Sequence, residues 1–318
     1  MRLSRAVDRE NRRTVVFAFV ANLVIAAAKL AGGLTTGSSA LLAEAAHSLA
    51  DCLNQVFLLV SLSLGRRRPD ETHPFGHGKE RFFWALLAAI MVFVGGAIFS
   101  IAQGMVVVAR GGDEHSFRAA YVVLGIALVA EGIALGRAVR QVRRQARAAG
   151  KPVAAYVRAS RDPTVKVVLA EDSASVAGVF VALAGIGLSQ ATGNPVWDGV
   201  ASIGIGLILT LVAYAIGRDA KRLLIGEAAT GEDRAAIERA LLDHPAVLAV
   251  PELLTMHVGP DDILVAARLE LDDELSTPSV ERVMDELQRD VHQAVAAVRQ
   301  IFIDPTPAHA HATATLGR

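Results

Sequence analysis

Six stretches of the chain stay apolar over the length that a bilayer demands. They lie near residues 14–33, 37–64, 82–109, 117–139, 165–189 and 195–217, each reaching roughly the ~20 residues that cross ~30 Å of hydrocarbon at helical rise. The first two are separated only by residues 34–37, a turn built on Thr and Gly, so two closely paired helices are expected. Buried helices of a soluble α protein share this apolarity, but such a core rarely supplies six runs of this length in 318 residues.

Past Gly226 the pattern changes to amphipathic helix alternating with short strand. Residues 233–242 read as a helix and residues 252–258 and 263–271 as strands, the latter with apolar residues at Ile263, Val265, Ala267 and Leu269. Pro260, Asp261 and Asp262 supply the turn between them. Residues 279–298 read as a long helix with Ser276 or Thr277 as N-cap and Pro278 in its first turn, and residues 300–303 as a last strand stopped by Pro305. The expected fold is an all-α membrane domain of six transmembrane helices followed by a small α+β cytoplasmic domain of order α-β-β-α-β, ferredoxin-like. Its parts are a basic cytoplasmic N-terminus (1–13), a transmembrane domain (14–222), a cytoplasmic domain (226–305) and a disordered tail (306–318).

Composition agrees with a bilayer: 53% of residues are hydrophobic and mean hydropathy is +0.41. Lys+Arg and Asp+Glu balance at 32 each, so no global charge argues for a nucleic-acid partner. Placement matters more than the sum. Five arginines precede the first helix, Arg66, Arg67, Arg68, Lys79 and Arg81 lie between the second and third, Arg140 to Lys151 before the fifth, and Arg218, Lys221 and Arg222 after the sixth. The opposite loops carry little positive charge, so both termini are expected in the cytoplasm. No cleavage site or targeting presequence follows the basic lead, which favours a prokaryotic plasma membrane. The only cysteine, Cys52, excludes an intrachain disulfide and a Cys-based zinc cluster, leaving His, Asp and Glu as metal ligands.

Ionisable groups inside membrane helices are costly and therefore point to function. The second helix carries Glu44, His47 and Asp51. His47 and Asp51, four residues apart, share one helical face, and imidazole with carboxylate suits Zn²⁺ and also Co²⁺, Fe²⁺ or Mn²⁺. The fifth helix carries Glu171 and Asp172, which point ~100° apart; one of them completes a site with His47 and Asp51, or both line a water-filled mouth. Lys29 and Glu131 are further intramembrane charges that read equally as an ion pair or as part of a transport path. Between the second and third helices, Asp70, His73 and His77 are the right types for a second cation site, with Gly76 and Gly78 to bend the backbone, though a solvated loop reads as well on spacing alone. No organic cofactor is expected, since neither a phosphate-binding loop nor a dinucleotide fingerprint is present. Transport would then run on a gradient. No nucleophile accompanies His47 and Asp51, so an enzyme is not expected.

At these residues the chain resembles the cation diffusion facilitator family of divalent metal transporters. The match runs from Gly37 through Glu44, His47 and Asp51, through His73-Pro74-Phe75-Gly76-His77-Gly78-Lys79, and over residues 172–182 of the fifth helix. The resemblance implies that His47, Asp51 and Asp172 form the transport site, that Asp70, His73 and His77 form a site at the membrane surface, and that the protein is a homodimer. It implies export of cytoplasmic metal, Zn²⁺ first, against external protons, by helix rocking about the midplane; Gly95, Gly96, Gly178, Gly185 and Gly187 are available at helix contacts. Proton coupling has a chemical basis, because ligation needs neutral imidazole and ionised carboxylates. The family usually places His or Asp four residues before the fifth-helix carboxylate, where this chain has Val168, so Glu171, Ser175 or water is left as fourth ligand. An exporter of Mn²⁺, Fe²⁺ or Co²⁺ is the alternative, and a non-transporting membrane metal sensor is another. In the C-terminal domain, Pro251, Ala267 and Phe302 stand where zinc-regulated members have His, leaving Asp304 and His257, so this domain is expected to dimerise with little metal of its own. His257, His292, His309 and His311 are read as surface residues.

Overall fold

A computed structural model describes residues 19–20, 22–111, 117–160 and 163–306. The N-terminus 1–13, residues 307–318 of the tail with His309 and His311, and the start of the first apolar segment lie outside these. The chain divides into two compact units, Met1–Ser63 with Phe83–Ala220, and Leu64–Phe82 with Lys221–Arg318.

The first unit is helical. Helix α1 covers residues 22–36 and α2 Ser39–Leu64. Helix α3 covers Glu80–Arg110, its middle turns Val92–Ile98 widening to a π-helix, and α4 covers Phe117–Ala148. A short α5 (Val153–Ala159) leads to α6 (Pro163–Thr192) and α7 (Val196–Ile225). Five helices among the described residues, α2, α3, α4, α6 and α7, are long and apolar enough to cross a membrane. The first expected crossing falls partly on undescribed residues. On α4, Val122, Ile126, Val129 and Ile133 form a stripe in which every side chain is more than half exposed, a surface suited to lipid rather than water. Inside, Leu41, Val92, Leu124, Val179, Ile186 and Leu209 belong to one packed core.

Small residues set the approach of α3 to α7. A Cβ added at Gly104 would stand 2.5 Å from the Gly199 carbonyl oxygen and 2.9 Å from the Ile203 nitrogen, so only glycine lets these backbones meet.

Helix α4 runs nine residues beyond the expected 139. Its continuation buries Ala138, Val142 and Ala146 at four-residue spacing while Arg140, Arg143, Arg144 and Arg147 stay outside, an amphipathic extension that a count of apolar residues does not register.

In the second unit, β1 (Val247–Gly259) pairs antiparallel with β2 (Asp262–Leu271), and β3 (Val298–Pro305) pairs parallel with β2, giving the sheet order β1-β2-β3. Pro260 and Asp261 make the hairpin turn. Helices α8 (Gly231–Leu242) and α9 (Thr277–Ala294) supply Ile237, Leu241, Val283, Leu287 and Val291 to a core shared with Leu253, Ile263, Val265 and Leu269 of the sheet. The Thr230 side chain caps α8 by accepting from the Asp233 N–H, and α9 starts at N-cap Ser276 with Pro278 in its first turn. The helix expected over 279–298 ends at Ala294, because Val295 turns extended (φ −136°, ψ 97°) and joins the core. The element order is α-β-β-α-β. A complete ferredoxin-like sheet has a further strand before the first helix, and the sheet among the described residues has three.

Candidate metal centre

Helix α2 presents His47, Asp51, Asn54 and Gln55 at spacings of four, three and one, which keeps them on one face for two turns. Helix α6 runs antiparallel beside it and offers Ser175, Asp172 and Glu171. Ser175 Oγ sits between the first pair, 2.9 Å from His47 Nε2 and 3.2 Å from Asp51 Oδ2, while His47 Nδ1 lies 3.5 Å from Asp51 Oδ1. One turn further along α2, Asn54 Nδ2 donates to Glu171 Oε2. Asp172 does not enter that contact. It lines a cavity of about 380 Å³ together with Asp51, Gln55, Glu131, Arg137, Glu171 and Ser175, and Val168 faces the same space. Both adjacent carboxylates thus border the cavity, and Glu171 alone of the two also bonds Asn54 on α2.

Several buried ligand-type atoms here have no hydrogen-bond partner: His47 Nδ1, Asp51 Oδ1, Asn54 Oδ1, Gln55 Oε1 and Glu171 Oε1. Buried polar atoms are nearly always satisfied, so a row of unsatisfied ones along a cavity suits a cation. His47, Asp51 and Asp172 are not drawn into one cluster of contacting ligand atoms.

Above this stripe lies a buried ionic trio. Lys29 Nζ on α1 is 2.9 Å from Glu44 Oε2 and 2.9 Å from Ser48 Oγ on α2, and 2.5 Å from Glu131 Oε1 on α4. Lys29 and Glu44 are fully buried. Of the two sequence readings the ion pair is the one observed. Gly178 on α6 leaves the notch that the Glu44 carboxylate fills.

The residue that sequence reasoning passed over is Asp198, fully buried at the start of α7. Its carboxylate accepts from the Ser39 N–H at 2.5 Å, Ala40 N–H at 3.3 Å, Ser38 Oγ at 2.7 Å and Ser39 Oγ at 2.9 Å, while Ser38 Oγ itself accepts from the Leu41 N–H. The first N–H groups of α2 are thereby satisfied from another helix. A lone carboxylate within an apolar segment was the available signal. Asn54 was missed too, though its place on the face of Asp51 marked it.

In the second unit the loop residues do converge. Asp70, His73 and His77 are the one group of three His, Cys, Asp or Glu among the described residues whose ligand atoms all lie within 4.8 Å. Asp70 Oδ2 is 3.0 Å from His77 Nε2 and Asp70 Oδ1 is 3.4 Å from His73 Nδ1. Asp70 Oδ1 also accepts from the Thr72 and His73 N–H groups, closing an Asx-type turn, and Gly76 takes φ +83° so that the chain doubles back. Hydrogen bonds from Thr72, His77 and the His73 backbone hold the Asp70 carboxyl well below the ordinary carboxylate range.

Among the C-terminal histidines, His292 is exposed. His257 is not the surface residue expected: it is 3% exposed, on the sheet face that the helices cover. Asp304 pairs with Arg268 at 3.3 Å.

Residues 15–225 match the family profile described as the cation efflux transmembrane domain. The chain is 31% identical over 268 residues to metal tolerance protein C4 of Arabidopsis thaliana, covering 84% of this chain and 59% of that protein. It is 34% identical over 251 residues to the mitochondrial proton-coupled zinc antiporter SLC30A9 of Xenopus laevis, covering 79% of this chain and 45% of that one. The chain therefore spans about half the length of these relatives. Against the manganese efflux system protein MneP of Bacillus subtilis identity is 23% over 306 residues, 95% of this chain and 98% of that one.

Proposed function

This chain belongs to the cation diffusion facilitator family, and we propose that it carries Zn²⁺ out of the cytoplasm in exchange for protons, through six membrane-crossing helices with both termini inside. The observation that carries the reading is the His47–Ser175–Asp51 contact beside a carboxylate-lined cavity, with His47 Nδ1 and Asp51 Oδ1 facing each other at 3.5 Å and neither hydrogen-bonded. His47, Asp51 and Asp172 hold the ion, and Ser175 keeps imidazole and carboxylate apart and oriented while the site is empty. Ion arrival displaces protons from the same groups, because ligation needs them deprotonated. The zinc antiporter among the relatives supports both substrate and coupling. Asp70, His73 and His77 form a second, surface site, and the unit with the three-stranded sheet joins two copies.

A manganese reading has its own support: Val168, not a second imidazole, faces the cavity, and Glu171 adds an oxygen ligand, a set that leans to harder ions. The test is flux in liposomes carrying a metal dye and a pH dye, with Zn²⁺ and Mn²⁺ offered to wild type and Asp51→Ala. Metal uptake with matched proton exit, abolished in Asp51→Ala, is expected. No movement of either metal under any pH gradient overturns transport and leaves a sensor.

A further inference from the structure

We propose that Arg137, Arg140 and Arg144 on α4 form a binding site for the phosphate of an anionic phospholipid in the cytoplasmic leaflet. The site needs α4 to cross the bilayer in the orientation proposed above, and it needs no movement of metal. Three observations carry it. The first is register. The spacing of four and three that runs through the exposed Val122, Ile126, Val129 and Ile133 continues unbroken through Arg137, Arg140 and Arg144, all exposed, while Ala138 and Val142 are buried on the other side. One outward face of a single helix thus changes from apolar to basic. The second is depth. Helix α4 has 32 residues, about 48 Å at helical rise, against ~30 Å of hydrocarbon. About twenty residues from Phe117 bring the chain to Arg137, and the headgroup layer adds ~5–8 Å beyond, within reach of the long side chains of Arg140 and Arg144.

The third is the supply of internal partners. No carboxylate occurs between Glu131 and Asp162, and among the described residues none of the three arginines is ion-paired. At the corresponding ends of α6 and α7, by contrast, Lys166 and Arg218 share Asp219 at 2.8 and 3.8 Å. Positive charge near a helix end also sets orientation, but orientation asks only for a number of charges, whereas these stand on the lipid-facing side at headgroup depth. Guanidinium takes phosphate through paired, planar hydrogen bonds, and Arg143 and Arg147 beside the site add longer-range attraction to an anionic leaflet. The occupant is a lipid phosphate, not a free one, because the same face is apolar from Val122 to Ile133 and suits the acyl chains below the headgroup. Arg137 also borders the cavity, so the bound headgroup stands at its rim.

The test is electron paramagnetic resonance of the full-length protein in phosphatidylcholine liposomes carrying a trace of spin-labelled phosphatidylglycerol or of spin-labelled phosphatidylcholine. Wild type is expected to immobilise the phosphatidylglycerol label about fivefold more strongly, the effect of one basic side chain near an anionic headgroup. The triple variant Arg137→Gln, Arg140→Gln, Arg144→Gln is expected to show no preference. A second triple variant, Arg66→Gln, Arg67→Gln, Arg68→Gln, removes the same charge from a loop that carries its own Asp70 and Glu71, and is expected to keep the wild-type preference. No preference in wild type, or equal losses in the two triple variants, overturns the site. Elution volume and thermal midpoint are read first for each variant; an α4 variant that elutes as a smaller assembly assigns the face to a second copy and overturns the lipid. Metal flux into the same liposomes keeps the two readings apart. Preference without flux overturns transport and leaves the site, and flux without preference does the reverse.

Discussion

Replacing Lys29 by Met should destabilise the membrane unit more than any other single change in the polar interior. The lysine spends all three of its donors, on Glu44, Ser48 and Glu131. Its loss falls unevenly. Glu131 is 13% exposed and borders the cavity, where water can replace the ammonium. Glu44 is sealed and already has one oxygen without a partner, so its remaining oxygen becomes the second. Breaking a buried ion pair from one side costs about 3–5 kcal/mol, whereas a neutral buried amide missing a partner costs about 1–3 kcal/mol. Lys29→Met combined with Glu44→Gln should therefore recover part of the loss. At roughly 2–4 °C per kcal/mol the single variant shifts the unfolding midpoint down by about 6–20 °C. The assay is the thermal midpoint of purified protein in one detergent at one heating rate. A single variant within ~2 °C of wild type, or a double variant no better than the single, refutes the reasoning.

Three further outcomes follow from the same geometry. Asp198→Ala should lower the midpoint by the equivalent of about 2–3 kcal/mol, since the first N–H groups of α2 lose their acceptor, and Asp198→Asn by less because one oxygen remains; equal effects would count against the cap. For the loop site the sign follows from the lowered pKa of Asp70: its contribution is complete above the ordinary carboxylate range and fades only as pH falls below that range. Asp70→Asn should therefore weaken Zn²⁺ binding at the proposed loop site by about 10–100-fold near neutral pH and shift half-release to higher pH, as binding titrations at several pH values will read. Gly104→Val should cost about 1–3 kcal/mol by prising α3 from α7, visible as a lower midpoint, and a midpoint unchanged from wild type would mean that the two backbones are free to part.

The membrane helices were legible because hydrophobic length is a one-dimensional property, and the chain states it in sequence order. What pairs across helices was not. Asn54 meets Glu171 and Ser38 meets Asp198 over separations of 117 and 160 residues, and no local pattern says which of the adjacent Glu171 and Asp172 turns toward α2. The loop site was legible because Asp70, His73 and His77 close on one another within eight residues, through a turn whose glycine is written in the chain. His257 went wrong for a specific reason. Along β1 the set Leu254, Met256 and Val258 is more apolar than Leu253, Thr255 and His257, so alternation alone favours the first set as the core, yet Leu254 is exposed, Leu253 is buried, and at the end of the strand His257 and Val258 are buried together. Burial on both faces there comes from tertiary packing, which a strand's own alternation does not carry.

Polar contacts of every strength meet on α2, and their ranking says where the membrane unit yields. Asp198 holds its N-terminal end to α7, and Lys29 binds its middle to α1 and α4 through buried charges. The contacts to α6 beside His47 and Asp51 are different, for Ser175 offers one hydroxyl to two partners at 2.9 and 3.2 Å. A neutral hydrogen bond contributes about 0.5–1.5 kcal/mol net, well under the ion pair. At the level of His47 and Asp51 the α2–α6 seam is therefore the weak one, with the Asn54–Glu171 contact holding it one turn further on, and it is where the cavity opens and the ion would sit. Ser175→Ala separates stability from function on this account. Its unfolding midpoint should fall by no more than ~6 °C, while flux in liposomes changes several-fold because the empty site is no longer held in order. Lys29→Met should show the opposite balance, a large midpoint shift with flux per folded protein little changed. If Ser175→Ala unfolds as readily as Lys29→Met, or leaves flux untouched, the seam is not between α2 and α6.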